Sequence, residues 1–308
     1  MQLASELALA EMPVESQEFI GDPQPWLDKA RGQHPWLARS SHGYIVHGYR
    51  AVGDLFADWR HMQIGLGPIV DFYGMQGTMW GRFMQEMVLV QEGEAHSRIR
   101  SSVAHAFTPR HANQVRPMMQ RVIARLLDEW APKGEFNFPD FASLFPVSVM
   151  CGLLGVSDEP IPRMNDALAS QVDALAMDQA YKEPLLKGWE TMWSFTETLI
   201  EEREASGQSD DDHLLDAMIA AKNAGRLDEI ELRFMVLVLI FAGYDTSKNQ
   251  LSMIVKLLIE RPEMYKRCGQ DKAYCGKVVQ ESLRHSGIAP PYRAVVEEFE
   301  YEGVGFRK

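Results

Sequence analysis

The chain has 308 residues, of which 46% are apolar and 24% charged, enough to bury a large globular core. A formal net charge of −12 argues against nonspecific nucleic-acid binding, which needs a basic surface. Three cysteines give no disulfide framework and suit a reducing compartment.

The first 18 residues carry four glutamates and no lysine or arginine, unlike the basic start of a signal peptide. The longest apolar stretch, residues 234–243, is too short to span a bilayer and reads as a buried helix. The expected location is cytoplasmic, with no membrane anchor.

Residues 1–20 read as a loosely ordered arm, within an N-terminal arm spanning 1–25. A short helix is predicted at 25–33, two strand-like pieces at 37–46 around Ser40–Gly43, and a helix at 49–59. Residues 60–92 are rich in Gly and Met without clear periodicity, which predicts a long loop with short helices. From Gly93 onward the spacing is helical over 93–107, 111–130, 141–154, 160–176, 183–206 and 211–223. The longest helical run is 228–260, with Asp228 as N-cap and Glu231 three residues on, a capping-box spacing. Arg261-Pro262 ends it. A short helix and a helix over 272–285 follow, Pro290-Pro291 break the pattern, and 295–306 reads as a strand hairpin.

Four constellations could carry chemistry. His96 and Arg100 lie four apart on a helix, so they share a face about 5–6 Å apart. Two such donors suit a pair of carboxylates, and the arginine fork binds both oxygens. The plain alternative is a solvated basic face. Phe241-Ala242-Gly243-Tyr244-Asp245-Thr246 lies in the middle of the longest helix. Its small residues let something flat approach, while Thr246 can bond back one turn and bend the helix, opening a proton route beside Asp245. A packing glycine and an ordinary helix break would explain the same letters. Glu281 and Arg284, three apart, can pair along a helix, as surface residues commonly do. Arg293 follows Pro290-Pro291-Tyr292 and is either a carboxylate ligand or an exposed loop arginine. No Cys/His pair has zinc-ligand spacing, so no metal ligand is assigned.

The order and spacing of these signals are more specific than any one of them. Thr246 to Glu281 is 281 − 246 = 35 residues, and Arg284 to Arg293 is 293 − 284 = 9. With His96 and Arg100 upstream, the pattern resembles the cytochrome P450 family of haem-thiolate monooxygenases. The flanks agree: Gln91-Glu92-Gly93-Glu94-Ala95-His96 through Ala106-Phe107-Thr108-Pro109-Arg110, and Phe145-Pro146-Val147-Ser148-Val149-Met150 with Leu153-Leu154-Gly155-Val156. The resemblance covers about residues 26–308 and is of the soluble bacterial kind.

The resemblance implies a mainly α fold with a small β-sheet, here over 26–308 with its C-terminal part absent. It implies that His96, Arg100 and Arg293 hold the haem propionates, that Ala242 and Gly243 lie over the haem, and that Asp245 and Thr246 deliver protons. Glu281 and Arg284 would be a buried structural pair. The implied reaction inserts one oxygen atom from dioxygen into an apolar small molecule, with electrons from NAD(P)H through a ferredoxin-type partner. Arg98, Arg110 and Arg116 would be docking candidates for that partner, against the alternative of a solvated basic face. The Met-rich segment 62–90 would cover the substrate, or simply be a packed lid. The family's iron ligand is a cysteine thiolate on a later glycine-rich loop. Cys151, Cys268 and Cys275 do not match that loop, so the chain is expected to stop before its iron ligand and to be inactive alone. The strand edge and apolar cleft that such a loop region covers would then face water. The alternatives are a truncated, non-catalytic binder of haem or an apolar ligand, one half of a split oxygenase, and an all-helical scaffold protein.

Overall fold

The computed structural model describes residues 2–206, 213–288 and 292–308. It contains two compact units, residues 1–65 with 292–308, and residues 66–291.

The first unit begins with β1 (Gln2–Leu3), α1 (Gln17–Gly21) and α2 (Gln24–Gln33), followed by β2 (Leu37–Ser40), β3 (Gly43–Val46), α3 (Tyr49–Ala57) and β4 (Met62–Gln63). It ends with β5 (Ala294–Val295), β6 (Phe299–Tyr301) and β7 (Val304–Phe306). The predicted strands at 37–46 form the antiparallel β2–β3 pair, in register from Leu37↔Val46 to Ser40↔Gly43. The predicted hairpin at 295–306 is shorter than expected. β6 and β7 form it, turning at Glu302-Gly303, which both have positive φ as a tight primed turn requires. Ala294–Val295 pairs instead with β4.

The N-terminal residues are more ordered than their composition suggests. Met12 N–H donates to the Arg39 carbonyl (2.8 Å), and Arg39 N–H donates to Ala10 (2.9 Å). The Arg39 guanidinium also donates to the carbonyls of Ala4, Ser5 and Leu7. Ala10 and Met12 are buried. β1 lies parallel to β7, so the β7 side of the hairpin is paired and β6 forms the sheet edge.

The second unit is helical: α4 (Gly67–Tyr73), α5 (Met79–Glu86), α6 (Gly93–Ser101), α7 (Pro109–Gln114), α8 (Arg116–Trp130), α9 (Phe138–Leu154), α10 (Ile161–Asp173), α11 (Lys182–Ser206), α12 (Leu214–Asn223), α13 (Glu229–Ile259), α14 (Pro262–Gln270) and α15 (Lys272–His285). Two predicted helices are divided. The 93–107 run leaves α-helix at Ser101 and resumes as a short 3-10 turn at Ala104–Phe107. The 111–130 run breaks at Val115, because Pro117 has no N–H to donate and its ring crowds the carbonyl four residues earlier. The start of the predicted 211–223 helix and the Pro290-Pro291 pair lie outside the described residues.

α13 is the central element. Asp228 accepts the Glu231 N–H (2.7 Å), while Glu231 accepts the Asp228 N–H (2.9 Å), the predicted capping box. Its first half buries Leu232, Phe234, Met235, Val236, Leu237, Val238, Ile240 and Tyr244, chiefly against α9. α9 itself ends at Gly155, whose left-handed φ of 77° lets the Val156 N–H return to the Cys151 carbonyl. None of the described helices is long and apolar enough to cross a membrane.

Candidate functional site

α6 carries the predicted basic pair. Ile99 is its buried anchor; His96, one turn earlier on the neighbouring face, is half-buried, and Arg100 is exposed. Among the described residues, no side-chain hydrogen bond or ion pair engages either of them. Arg98, between them in sequence, is fully engaged. Its guanidinium donates to both Glu231 oxygens (2.8 and 2.6 Å) and to the Arg226 carbonyl (2.7 Å). Arg98 holds Glu231 below the usual carboxylate range, and Glu231 in turn raises Arg98. This arginine is a strut between α6 and α13, with its charge neutralised. As a docking group for an acidic partner it is therefore weaker than its sequence position suggests.

The 242–246 segment lies on the half-buried part of α13. Thr246 Oγ donates to the Ala242 carbonyl (2.7 Å), the predicted bond to the preceding turn. The expected opening of the helix is not seen: α13 is continuous through this point. Gly243 has a packing role, since a Cβ there would lie 3.2 Å from Met150 Cε on α9. Asp245 pairs with Lys248 at 3.7 Å, and the Lys248 ammonium sits 4.9 Å over the Tyr244 ring. Tyr244 is buried and donates to Asn165 on α10 (2.8 Å). α6 meets α13 at Glu231, and 15 residues of helix, about 22 Å, separate that contact from Thr246. Arg293 belongs to the other compact unit. There it lies 4.4 Å over the Phe56 ring and donates to the Tyr292 carbonyl.

Glu281 and Arg284 do pair, through a fork of 2.8 and 2.6 Å, but their side chains are 62% and 70% exposed. The expected buried pair is thus a solvent-facing one. Beside it, Ile254, Leu257, Leu258, Met264, Tyr274 and Val278 line an apolar groove of about 320 Å³ between α13, α14 and α15. That groove contains none of the predicted cofactor or proton-delivery residues.

The Met-rich segment is mostly core. Tyr73, Met75, Trp80, Phe83, Met84 and Met87 are all buried. Tyr73 donates to the carbonyls of Ala174 and Asp178, and Trp80 Nε1 donates to Gln171 (3.1 Å). The packed-lid alternative describes these side chains, and the open, adaptable site does not.

Sequence reasoning missed two relationships. Arg98–Glu231 joins residues 133 apart, a distance no local pattern spans. Cys268 and Cys275, read as separate sparse cysteines, are neighbours across the α14–α15 corner, where Cys275, after burial, raises the Cys268 thiol. Their placement, three residues before and four after Asp271, was the available signal.

These elements define a mainly helical body with small sheets, built around one long central helix. The family model for cytochrome P450 matches residues 46–308, and the chain belongs to that family. It is 29% identical over 286 residues to luteothin monooxygenase of Streptomyces thioluteus, covering 91% of this chain and 69% of that protein. It is 33% identical over 215 residues to 6-deoxyerythronolide B hydroxylase of Saccharopolyspora erythraea, covering 68% of this chain and 51% of that one. The fold matches P450BioI, in complex with hexadec-9Z-enoic acid ligated acyl carrier protein, with a TM-score of 0.81 at 24% identity, covering 95% of this chain and 76% of that one. It matches CalO2 with a TM-score of 0.82 at 19% identity, covering 97% and 76%.

Membership implies haem. The donor set of this chain fits one part of that group and not another. His96 and Arg100, whose side chains have no hydrogen-bond or ion-pair partner among the described residues, fit its carboxylates. No cysteine fits its iron. Cys151 is fully buried in α9, and burial first, then Asp158, pushes its thiol up to about 12. Enclosed in the core, its sulfur has no side open to an iron-bearing ring. Cys268 and Cys275 lie on α14 and α15, not on a glycine-rich loop.

Proposed function

We propose that this chain is part of a haem-dependent monooxygenase that inserts one oxygen atom from dioxygen into an apolar small molecule. The observation that carries this reading is the pair His96 and Arg100, two cationic or donor groups on one helix face with no side-chain partner among the described residues. Family membership gives that pair its meaning. In this reading the two side chains hold the haem carboxylates, with Arg293 as a third donor. Ala242 and Gly243 provide a small-residue surface on α13, and Asp245 with Thr246 handles protons beside it. Electrons come from NAD(P)H through a ferredoxin-type protein. The names of the relatives, a monooxygenase and a hydroxylase, support the reaction class.

The cysteines favour a narrower role for the 308-residue polypeptide by itself. With no cysteine suited to iron, it binds haem or an apolar ligand without oxygen chemistry.

Haemin titration of the purified chain, followed by absorbance and tryptophan quenching, tests both parts. Charge-assisted hydrogen bonds contribute about 1.5–3 kcal/mol each, so the double variant His96→Ala/Arg100→Ala should bind haemin at least about tenfold more weakly, with unchanged circular dichroism. Equal binding by the variant overturns the carboxylate assignment. A thiolate-type carbon monoxide difference spectrum from this polypeptide alone overturns the narrower role.

A further inference from the structure

We propose that Cys268 and Cys275 form a redox-active thiol pair, closing to a disulfide across the α14–α15 corner when the protein meets a peroxide. Cys268 is in the last turn of α14 and Cys275 is in the first turns of α15, with Asp271 alone between the helices. Asp271 ends one helix and starts the next. Its N–H donates to the Arg267 carbonyl (2.9 Å), and its carboxylate accepts the Tyr274 N–H (3.0 Å). This double cap fixes the corner so that residues seven apart face each other. The Arg267 guanidinium lies 4.0 Å over the Tyr274 ring, and Cys268 and Cys275, the next residues on the same two helices, are close enough that Cys275, after burial, raises the Cys268 thiol. Both cysteines are half-buried, within reach of a small oxidant, whereas Cys151 is fully buried.

The chemistry balances with the peroxide as oxidant. The first attack is assigned to Cys275 and the resolving role to Cys268, whose thiol is raised by partial burial and then by Cys275. Its sulfur takes one peroxide oxygen as the O–O bond breaks, giving a sulfenic acid and one water. The Cys268 sulfur then displaces the sulfenic oxygen as a second water, and the S–S bond forms. Two thiols lose two electrons and two protons, and one peroxide becomes two waters. The bond ties the corner that sets α14 against α15. Met264, one turn before Cys268, and Tyr274, next to Cys275, both line the apolar groove. Oxidation therefore fixes one wall of that groove, and reduction frees it.

The test uses the full 308-residue chain, reduced, then exposed to hydrogen peroxide and mapped by peptide mass spectrometry with dimedone as the sulfenic-acid trap. The expected wild-type product is a Cys268–Cys275 link within one chain, reversed by dithiothreitol, with Cys151 untouched. Cys268→Ser should accumulate the dimedone adduct on Cys275 at least about tenfold above wild type, because the resolving thiol is gone. Cys275→Ser should react at least about tenfold more slowly than wild type. Equal adduct in wild type and Cys268→Ser, a link between chains, or a link to Cys151 would each overturn the proposal. Circular dichroism of the two serine variants confirms that both remain folded.

Discussion

Arg98 forks onto both oxygens of Glu231, at 2.8 and 2.6 Å, while one Glu231 oxygen also accepts the Asp228 N–H of the capping box. One carboxylate thus both caps α13 and ties it to α6. Glu231→Ala removes the reciprocal cap and leaves Arg98 without its partner. The expected loss is about 1–2 kcal/mol, read as a lower urea midpoint. Glu231→Gln keeps the cap acceptor and should lose less. Equal losses would mean that the reciprocal cap contributes nothing beyond the ion pair.

Gly155 closes α9 in the left-handed region, at φ 77°, and a Cβ there would sit 2.4 Å from the His213 ring. Gly155→Ala meets backbone strain and a clash together. It should destabilise by about 1–3 kcal/mol in chemical denaturation, whereas an alanine at exposed Gly276, inside α15, should be neutral or stabilising.

His34 gives the first unit an acid-sensitive point. Its Nδ1 accepts the Leu37 N–H (3.1 Å) and faces the Trp36 N–H (3.4 Å), so this nitrogen must be unprotonated in the fold. Burial lowers the His34 pKa, opposed by Glu302. Burial also comes first in lowering His47, whose ring nitrogens are both shut away from water. A histidine lowered by folding contributes stability that is present above its unfolded value of about 6.5 and is lost as pH falls through the folded value. The melting temperature should therefore fall between about pH 7 and about pH 5. His34→Asn keeps an acceptor that does not titrate, so its fall should be shallower. An unchanged slope would remove His34 from the cause.

Thr246 is exposed and bonds only to the Ala242 carbonyl among the described residues. Thr246→Ala should therefore shift stability by no more than about 0.5 kcal/mol, since alanine is the better helix former. That makes it a clean probe of proton handling. In a haem-loaded, catalytically competent form, the variant should yield less product per nicotinamide consumed. Unchanged coupling would remove the role assigned to Thr246.

Much of the architecture was legible because local physics dominates it. The Asp228–Glu231 box, the β2–β3 pair and the Arg261-Pro262 stop each depend on residues a few positions apart. The N-terminal residues were misread because their order comes from Arg39, some 30 positions away, and not from any periodicity of their own. The Val115 break was available in Pro117 but masked by strong helical spacing on both sides. At the site, spacing located the basic pair on α6. It could not show that Arg98, identical in charge to Arg100, is neutralised. Nor could it show that Glu281 and Arg284 face solvent, because exposure is a property of what packs over a helix.

α13 ends with a consequence for motion. Its buried residues are concentrated between Leu232 and Tyr244, and of the residues after that only Leu258 is buried. The helix is therefore a cantilever, clamped by the core over its first half and held lightly over its second. Backbone amides should exchange with solvent slowly before Tyr244 and progressively faster beyond it, although the hydrogen-bond ladder is the same throughout. Asp245 and Thr246 stand at the end of the clamp, where the least free energy is needed to bend the rod.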